Sequence, residues 1–199
     1  MWDGHYADSQ YIFGTEPNVF LASQRDLLKA GQRALAVADG EGRNGVWLAQ
    51  QGLDVVSVDF SAPAVDKAAR LAAERGVSVE RHVSDVLEWN WPVNTFDVVA
   101  AIFIQFASPQ QRAVLFQRIK DALKPGGYLI LQGYTPKQLE YKTGGPSCAE
   151  NMYTEALLRE SFSDMEILHL REHEAFIAEG TKHYGQSALI DLVARKKSD

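Results

Sequence analysis

The segment Ala38-Asp39-Gly40-Glu41-Gly42-Arg43-Asn44-Gly45 spaces three glycines as G-x-G-x-x-G and sets two carboxylates among them. Glycines at that spacing, between an apolar run and a helical pattern, let a backbone approach a cofactor closely. Asp59 closes the next apolar run, where an acidic side chain accepts hydrogen bonds from ribose hydroxyls. Together these residues point to a molecule that carries adenosine. A dinucleotide would bring its pyrophosphate beside Asp39 and Glu41, which would repel it. S-adenosyl-L-methionine (SAM) has no phosphate and carries an ammonium and a sulfonium, which two carboxylates favour. Charges about 4 Å apart are worth on the order of 1 to 4 kcal/mol, depending on the local dielectric. The sign favours SAM over a nicotinamide dinucleotide. No Tyr has Lys four residues later, so the Tyr/Lys pair of short-chain dehydrogenases is missing.

Other residues with chemical potential are scattered. Tyr134 and Tyr141 follow the fifth apolar run, at the carboxyl end where open parallel sheets bind ligands. His183 lies between the last two apolar runs, in a stretch expected to be a surface turn that can face the cleft. These three are the candidates for contact with a second substrate, and no catalytic residue is assigned. His169 and His173 are four apart but fall in a strand-like stretch, so no metal site is expected. Cys148 has no partner for nucleophilic work. Trp89 and Trp91 are expected to cover a sheet edge. The aromatics Trp2, Tyr6, Tyr11 and Phe13 fit no single helical stripe. They form either a clasp on the domain or a cap near a sulfonium, where a cation over a ring gains roughly 0.5 to 2 kcal/mol.

The elements that must position these residues alternate. Apolar runs at Arg33–Ala38, Asp54–Val58, Val77–Val83, Phe96–Phe103 and Tyr128–Gln132 read as strands. Helical patterns lie between them, at Arg43–Gln51, at Ser61–Arg75 and from Ser108. Ser108 with Gln111 suits a capping box, and Leu115, Ile119, Ala122 and Leu123 keep helical spacing. Lys124-Pro125-Gly126-Gly127 stops that helix and turns the chain. Such alternation implies a parallel sheet with crossover helices. After a helix near Tyr153–Phe162, Met165–Arg171 and Ala188–Lys196 read as strands with no helix between, so they should pair antiparallel. Pro136–Cys148 reads as a long loop.

The 199 residues, 46% hydrophobic and 23% charged, can bury a core as one domain. One cysteine excludes an intramolecular disulfide and a multi-cysteine zinc site. The net charge of -6 argues against polyanion binding, so no nucleic-acid partner is expected. No apolar run reaches the roughly 18 residues of a membrane span. The polar N-terminus is no secretory signal, and the expected setting is cytoplasmic.

With these residues in view, the chain resembles class I SAM-dependent methyltransferases. It is similar to the small bacterial tellurite-resistance and thiopurine type. The resemblance rests on Trp2-Asp3, Tyr11-x-Phe13-Gly14-Thr15-Glu16-Pro17-Asn18, Gly40-Glu41-Gly42-Arg43-Asn44, Val58-Asp59, Ser84-Asp85 and Leu123-Lys124-Pro125-Gly126-Gly127. It implies an α/β fold, a Rossmann-like three-layer α/β/α sandwich. Its seven-stranded sheet would be mostly parallel, with an antiparallel last strand. Residues 1–199 would form one methyltransferase domain, with 1–30 as N-terminal cap helices. It implies SAM as cofactor, with Asp39, Gly40, Glu41, Gly42 and Asn44 at the methionine part and Asp59 and Phe60 at the ribose. Ser84, Asp85 and Val86 would lie at the adenine, Ile102 and Phe103 on the other wall, and Tyr11 and Phe13 over the sulfonium. The acceptor would be a small molecule, a thiol or oxyanion, and the protein a monomer or homodimer. A nicotinamide-linked oxidoreductase and a non-catalytic SAM-binding module are the alternatives. Two departures stand out. Ala36 and Ala38 occupy positions where the family loop has its acidic residue and first glycine. Gln105 stands where many relatives carry a histidine.

Overall fold

The computed structural model describes residue 6 and residues 10–198. Seven strands form one sheet: β1 (Arg33–Val37), β2 (Asp54–Asp59), β3 (Glu80–Val83), β4 (Phe96–Ile102), β5 (Leu123–Tyr134), β6 (Glu166–Glu179) and β7 (His183–Arg195). Their order is β3-β2-β1-β4-β5-β7-β6, and β7 runs antiparallel to both neighbours. The expected mostly parallel sheet with a reversed last strand is present.

Continuous apolar runs make β1 and β4 central, because both faces of a parallel sheet are covered by helices. Val98, Ala100 and Ile102 face one layer, with α1 (Val19–Ser23), α2 (Arg43–Gln50) and α3 (Ala62–Glu74). Val99 and Ala101 face the other, with α4 (Pro109–Ala122) and, beyond the short α5 (Gln138–Tyr141), α6 (Glu155–Ser161). Both Ser108 capping-box bonds are present at the start of α4. Thr154 caps α6 by accepting from the Leu157 N–H.

Four expectations shift. β3 begins at Glu80, not Val77. Lys124–Gly127 does not separate a helix from a strand. It bulges within β5, where Phe96 pairs with Leu123 and Val98 with Tyr128. The last two strands are far longer than their apolar runs. The extension of β6 alternates apolar with charged residues, as in Leu170-Arg171-Glu172-His173-Glu174, and that of β7 is polar, so the apolar signal fades while the ladder continues to Glu179–His183. The expected cap helices at 1–30 fall partly outside the described residues, Trp2 among them. Within the described part, Tyr6 is helical, Gln10–Pro17 is a non-helical strap, and Val19–Ser23 and a 3-10 turn at Arg25–Leu27 are helical. No helix among the described residues is long and apolar enough to cross a membrane.

Candidate active site

Strand β1 ends and α2 begins across the glycine loop, at the carboxyl edge of the sheet. Here a cavity of about 340 Å³ opens, lined by Tyr6, Phe13, Ala38, Asp39, Gly40, Arg43, Asn44, Asp59, Phe60, Asp85, Val86, Ile102, Phe103, Phe106 and His183. Two of these residues hold left-handed backbone without being glycine: Ala38 at the end of β1 (φ 49°) and Phe103 after β4 (φ 55°). Ala38 thus keeps the conformation expected of the family's first loop glycine. Such strain persists where surrounding structure over-determines it, and it clusters at ligand sites.

The loop is built by carboxylates. Asp59 accepts from the Gly40 N–H (2.8 Å) and the Ser61 N–H (2.9 Å), fixing the loop against the end of β2. Asp39 turns inward and accepts from the Gly45 N–H at 3.2 Å and from the Ser57 hydroxyl at 3.3 Å. It therefore sits on the positive end of α2. A Cβ on Gly45 would lie 2.4 Å from Asp39 Oδ2, so the third loop glycine makes room for this carboxylate. Burial pushes the Asp39 carboxyl up to about 7, and the Asp59 charge adds to this. The Gly45 and Ser57 hydrogen bonds and Arg43 pull it down.

Glu41 does not line the cavity. It turns to the opposite side and pairs with Lys67 of α3 at 2.8 Å, both residues only 2% exposed. Arg43, a cation at the start of α2, pairs with neither Asp39 nor Glu41. Its Nη2 donates to Glu179 at the end of β6 (2.7 Å), and Nη1 is buried with no partner among the described residues. Glu179 lies far along the chain and no local signal links it to the loop. It also accepts from Asn18 Nδ2 (3.0 Å) and the Val19 N–H (3.2 Å).

Ten of the expected cofactor residues line the cavity: Phe13, Asp39, Gly40, Asn44, Asp59, Phe60, Asp85, Val86, Ile102 and Phe103. Four do not: Tyr11, Glu41, Gly42 and Ser84. Tyr11 donates to the Lys67 carbonyl (3.1 Å), and Gly42 lets α2 meet α3. Tyr6, one of the aromatics expected to clasp or cap the domain, also lines it, with Ala38, Arg43 and Phe106. His183 is no surface turn. It is the first residue of β7, its ring 4.4 Å from Phe103 and 4.7 Å from Phe13. Burial, helped by Arg43, pushes its imidazole down to about 3. Tyr134 stacks behind Phe103 at 4.7 Å, its buried hydroxyl without a partner among the described residues. Tyr141 points away and donates to Glu174. Gln105, where many relatives have histidine, bonds both backbone groups of Tyr134 and extends β5 sideways.

Residues 34–127 match a family described as a methyltransferase domain. With the sheet order above, this match makes the chain similar to class I SAM-dependent methyltransferases, whose cofactor is SAM. Phosphoethanolamine N-methyltransferase 3 of Arabidopsis thaliana is 34% identical over 108 residues, 54% of this chain and 22% of that protein. Carboxy-S-adenosyl-L-methionine synthase of Aeromonas hydrophila is 39% identical over 84 residues, 41% of this chain and 33% of that protein. The chain thus spans a third or less of the length of these curated relatives. Among solved structures, TehB from Haemophilus influenzae superposes with a TM-score of 0.74 at 16% identity, over 98% of this chain and 66% of that one. A structure described as the conversion of a disulfide bond into a thioacetal group during echinomycin biosynthesis gives 0.80 at 16% identity, over 98% and 91%. These last two show the fold.

Proposed function

We propose that this chain transfers a methyl group from SAM to a small-molecule nucleophile, a thiol, an oxyanion or a similar group. The observation that carries this reading is the arrangement of charge around the cavity. Asp39, Asp59 and Asp85 line it beside the glycine loop, and Arg43 offers Nη1, which has no partner among the described residues. That set suits a ligand with one ammonium, one carboxylate and an adenosine, and it would repel a pyrophosphate. In this reading Asp39 takes the ammonium, Arg43 the carboxylate, Asp59 the ribose hydroxyls and Asp85 the adenine amine. When bound, SAM supplies a methyl group on sulfonium, whose C–S bond breaks as the acceptor bonds the carbon. The protein's work is alignment, which supplies up to about 7 to 11 kcal/mol of such a barrier.

The acceptor reading follows from His183. An imidazole held down to about 3 is neutral and a weak base. A soft or already ionised nucleophile needs no stronger one. The net charge of -6 disfavours nucleic acid as the acceptor. We read residues 1–199 as one such domain in a cytoplasmic setting, as monomer or homodimer. Calorimetry with S-adenosylhomocysteine tests the core of this: binding in the micromolar range is expected, and no binding at millimolar ligand overturns it.

A further inference from the structure

Gln10–Pro17 carries Phe13 across the cavity yet contains no helix or strand, and none of its side chains is buried. It leaves Asn18, which is fully buried and fixed from several sides. The Asn18 N–H donates to Asn44 Oδ1 (2.9 Å), and Nδ2 donates to Gln132 (2.7 Å) and Glu179. Beyond that pivot the strap is tied at two places. On one side, Lys67 Nζ donates to the Gln10 carbonyl (2.7 Å) and Glu41 Oε2 accepts from the Phe13 N–H (3.2 Å). Lys67 Nζ also lies 5.8 Å from the Tyr11 ring centre and 5.9 Å from that of Tyr6. On the other side, the β6–β7 tip holds the strap through Ile12, whose carbonyl accepts from the Thr181 (2.8 Å) and Lys182 (3.3 Å) N–H groups. A Cβ on Gly180 would lie 2.2 Å from that carbonyl and 2.5 Å from Phe13 Cα. The Tyr11 hydroxyl also donates to the Lys67 carbonyl (3.1 Å), whereas the Arg75–Glu16 pair at 2.8 Å is exposed and contributes little.

We infer that Glu41 and Lys67 are positioning residues that latch the strap, and Phe13 with it, over the cofactor cavity. They work jointly with the Gly180–Lys182 tip and thereby set how long the cofactor stays. This rests on the SAM reading above. The Glu41–Lys67 pair is buried, and each partner spends a hydrogen bond on strap backbone rather than on the cavity. A segment held by few bonds and little buried apolar surface opens at far lower cost than the core.

Two variants act on opposite ties. E41Q/K67M removes the pair without leaving a lone buried charge, and G180A wedges a methyl under Ile12. Dissociation of S-adenosylhomocysteine, followed by rapid mixing with excess competitor, should be roughly tenfold faster in each. Chymotrypsin should cut after Tyr11 and Phe13 in the variants even with ligand, whereas ligand should protect those bonds in the parent protein. Circular dichroism identifies any variant that fails to fold, in which case the other decides. Dissociation within about twofold of the parent in the folded variants overturns the latch, and so do strap bonds that resist cleavage regardless of ligand. Failure of the parent protein to bind S-adenosylhomocysteine in calorimetry instead overturns the SAM reading, and the latch falls with it.

Discussion

Asp39 and His183 face one cavity with opposite titration behaviour. Asp39 is raised from 3.8 to about 7 by burial, so in the free protein it favours the folded state below 3.8 and that contribution is lost as pH rises through about 7. His183 is lowered from 6.5 to about 3, so its contribution is present above 6.5 and is lost as pH falls through about 3. Between about 4 and 6.5 the two slopes oppose each other, and the parent protein hides both. Ligand binding separates them. An ammonium beside Asp39 favours the carboxylate, so binding below pH 7 must expel a proton. S-adenosylhomocysteine should bind roughly tenfold more weakly at about pH 6 than at about pH 8, by calorimetry in buffers of differing ionisation enthalpy. D39N should bind more weakly and lose the slope. A flat parent profile would remove Asp39 from the ammonium site.

At the scale of elements, the contact of α2 with α3 sets the loop's shape. Gly42 has φ 88°, and a Cβ there would lie 2.5 Å from Ala68 Cβ and 2.9 Å from Ala68 Cα. G42A therefore combines left-handed strain with overpacking, a cost of about 2 to 4 kcal/mol. Thermal melts should show Tm lower by roughly 4 to 16 °C for a chain of this length. G76A is the control. It has φ 67° and nothing within 4 Å, so it should pay the strain alone. Equal losses in both would show that Ala68 gives way. Gly42 belongs to the motif that the sequence displays, yet its work is helix packing rather than ligand contact. Sequence spacing identifies a loop, but it does not say which loop side chain faces in. Asp39 and Glu41 look equivalent in the sequence. The first lies on the cavity and the second behind it, because the backbone turns between them at Gly40 (φ 57°). Strand β4 was legible for the opposite reason, since its burial on both faces is written as an unbroken apolar run. The outer halves of β6 and β7 were not, because β6 there alternates apolar with charged residues and β7 opens on the polar His183-Tyr184-Gly185-Gln186-Ser187, so only the backbone ladder continues.

Across the whole molecule, a buried polar chain joins segments that no local pattern relates. Arg43 donates to Glu179, Asn18 to Glu179 and to Gln132, and Gln132 to Asp191 (2.7 Å). His173 Nε2 lies 2.7 Å from the other Asp191 oxygen. These contacts tie the strap's pivot, the loop helix and the three strands at one end of the sheet into one unit. Buried ion pairs of this sort often add little net stability, but breaking one leaves a charge without compensation, at about 3 to 5 kcal/mol. The Arg43–Glu179 pair has side chains 7% and 6% exposed, so that penalty should apply. R43M and E179Q should each destabilise by a few kcal/mol in urea unfolding. The double variant should cost less than their sum, with a coupling of roughly 1 to 3 kcal/mol. Additivity within about 0.5 kcal/mol would mean that the two charges are already screened and that the chain holds its ends together by hydrogen bonds alone. The same double variant bears on the cofactor. If Arg43 reads the SAM carboxylate, R43M/E179Q should bind S-adenosylhomocysteine more weakly but keep its affinity for 5′-methylthioadenosine, which lacks that carboxylate. Parallel losses for both ligands would show that the pair supports the cavity's shape without recognising the ligand's charge.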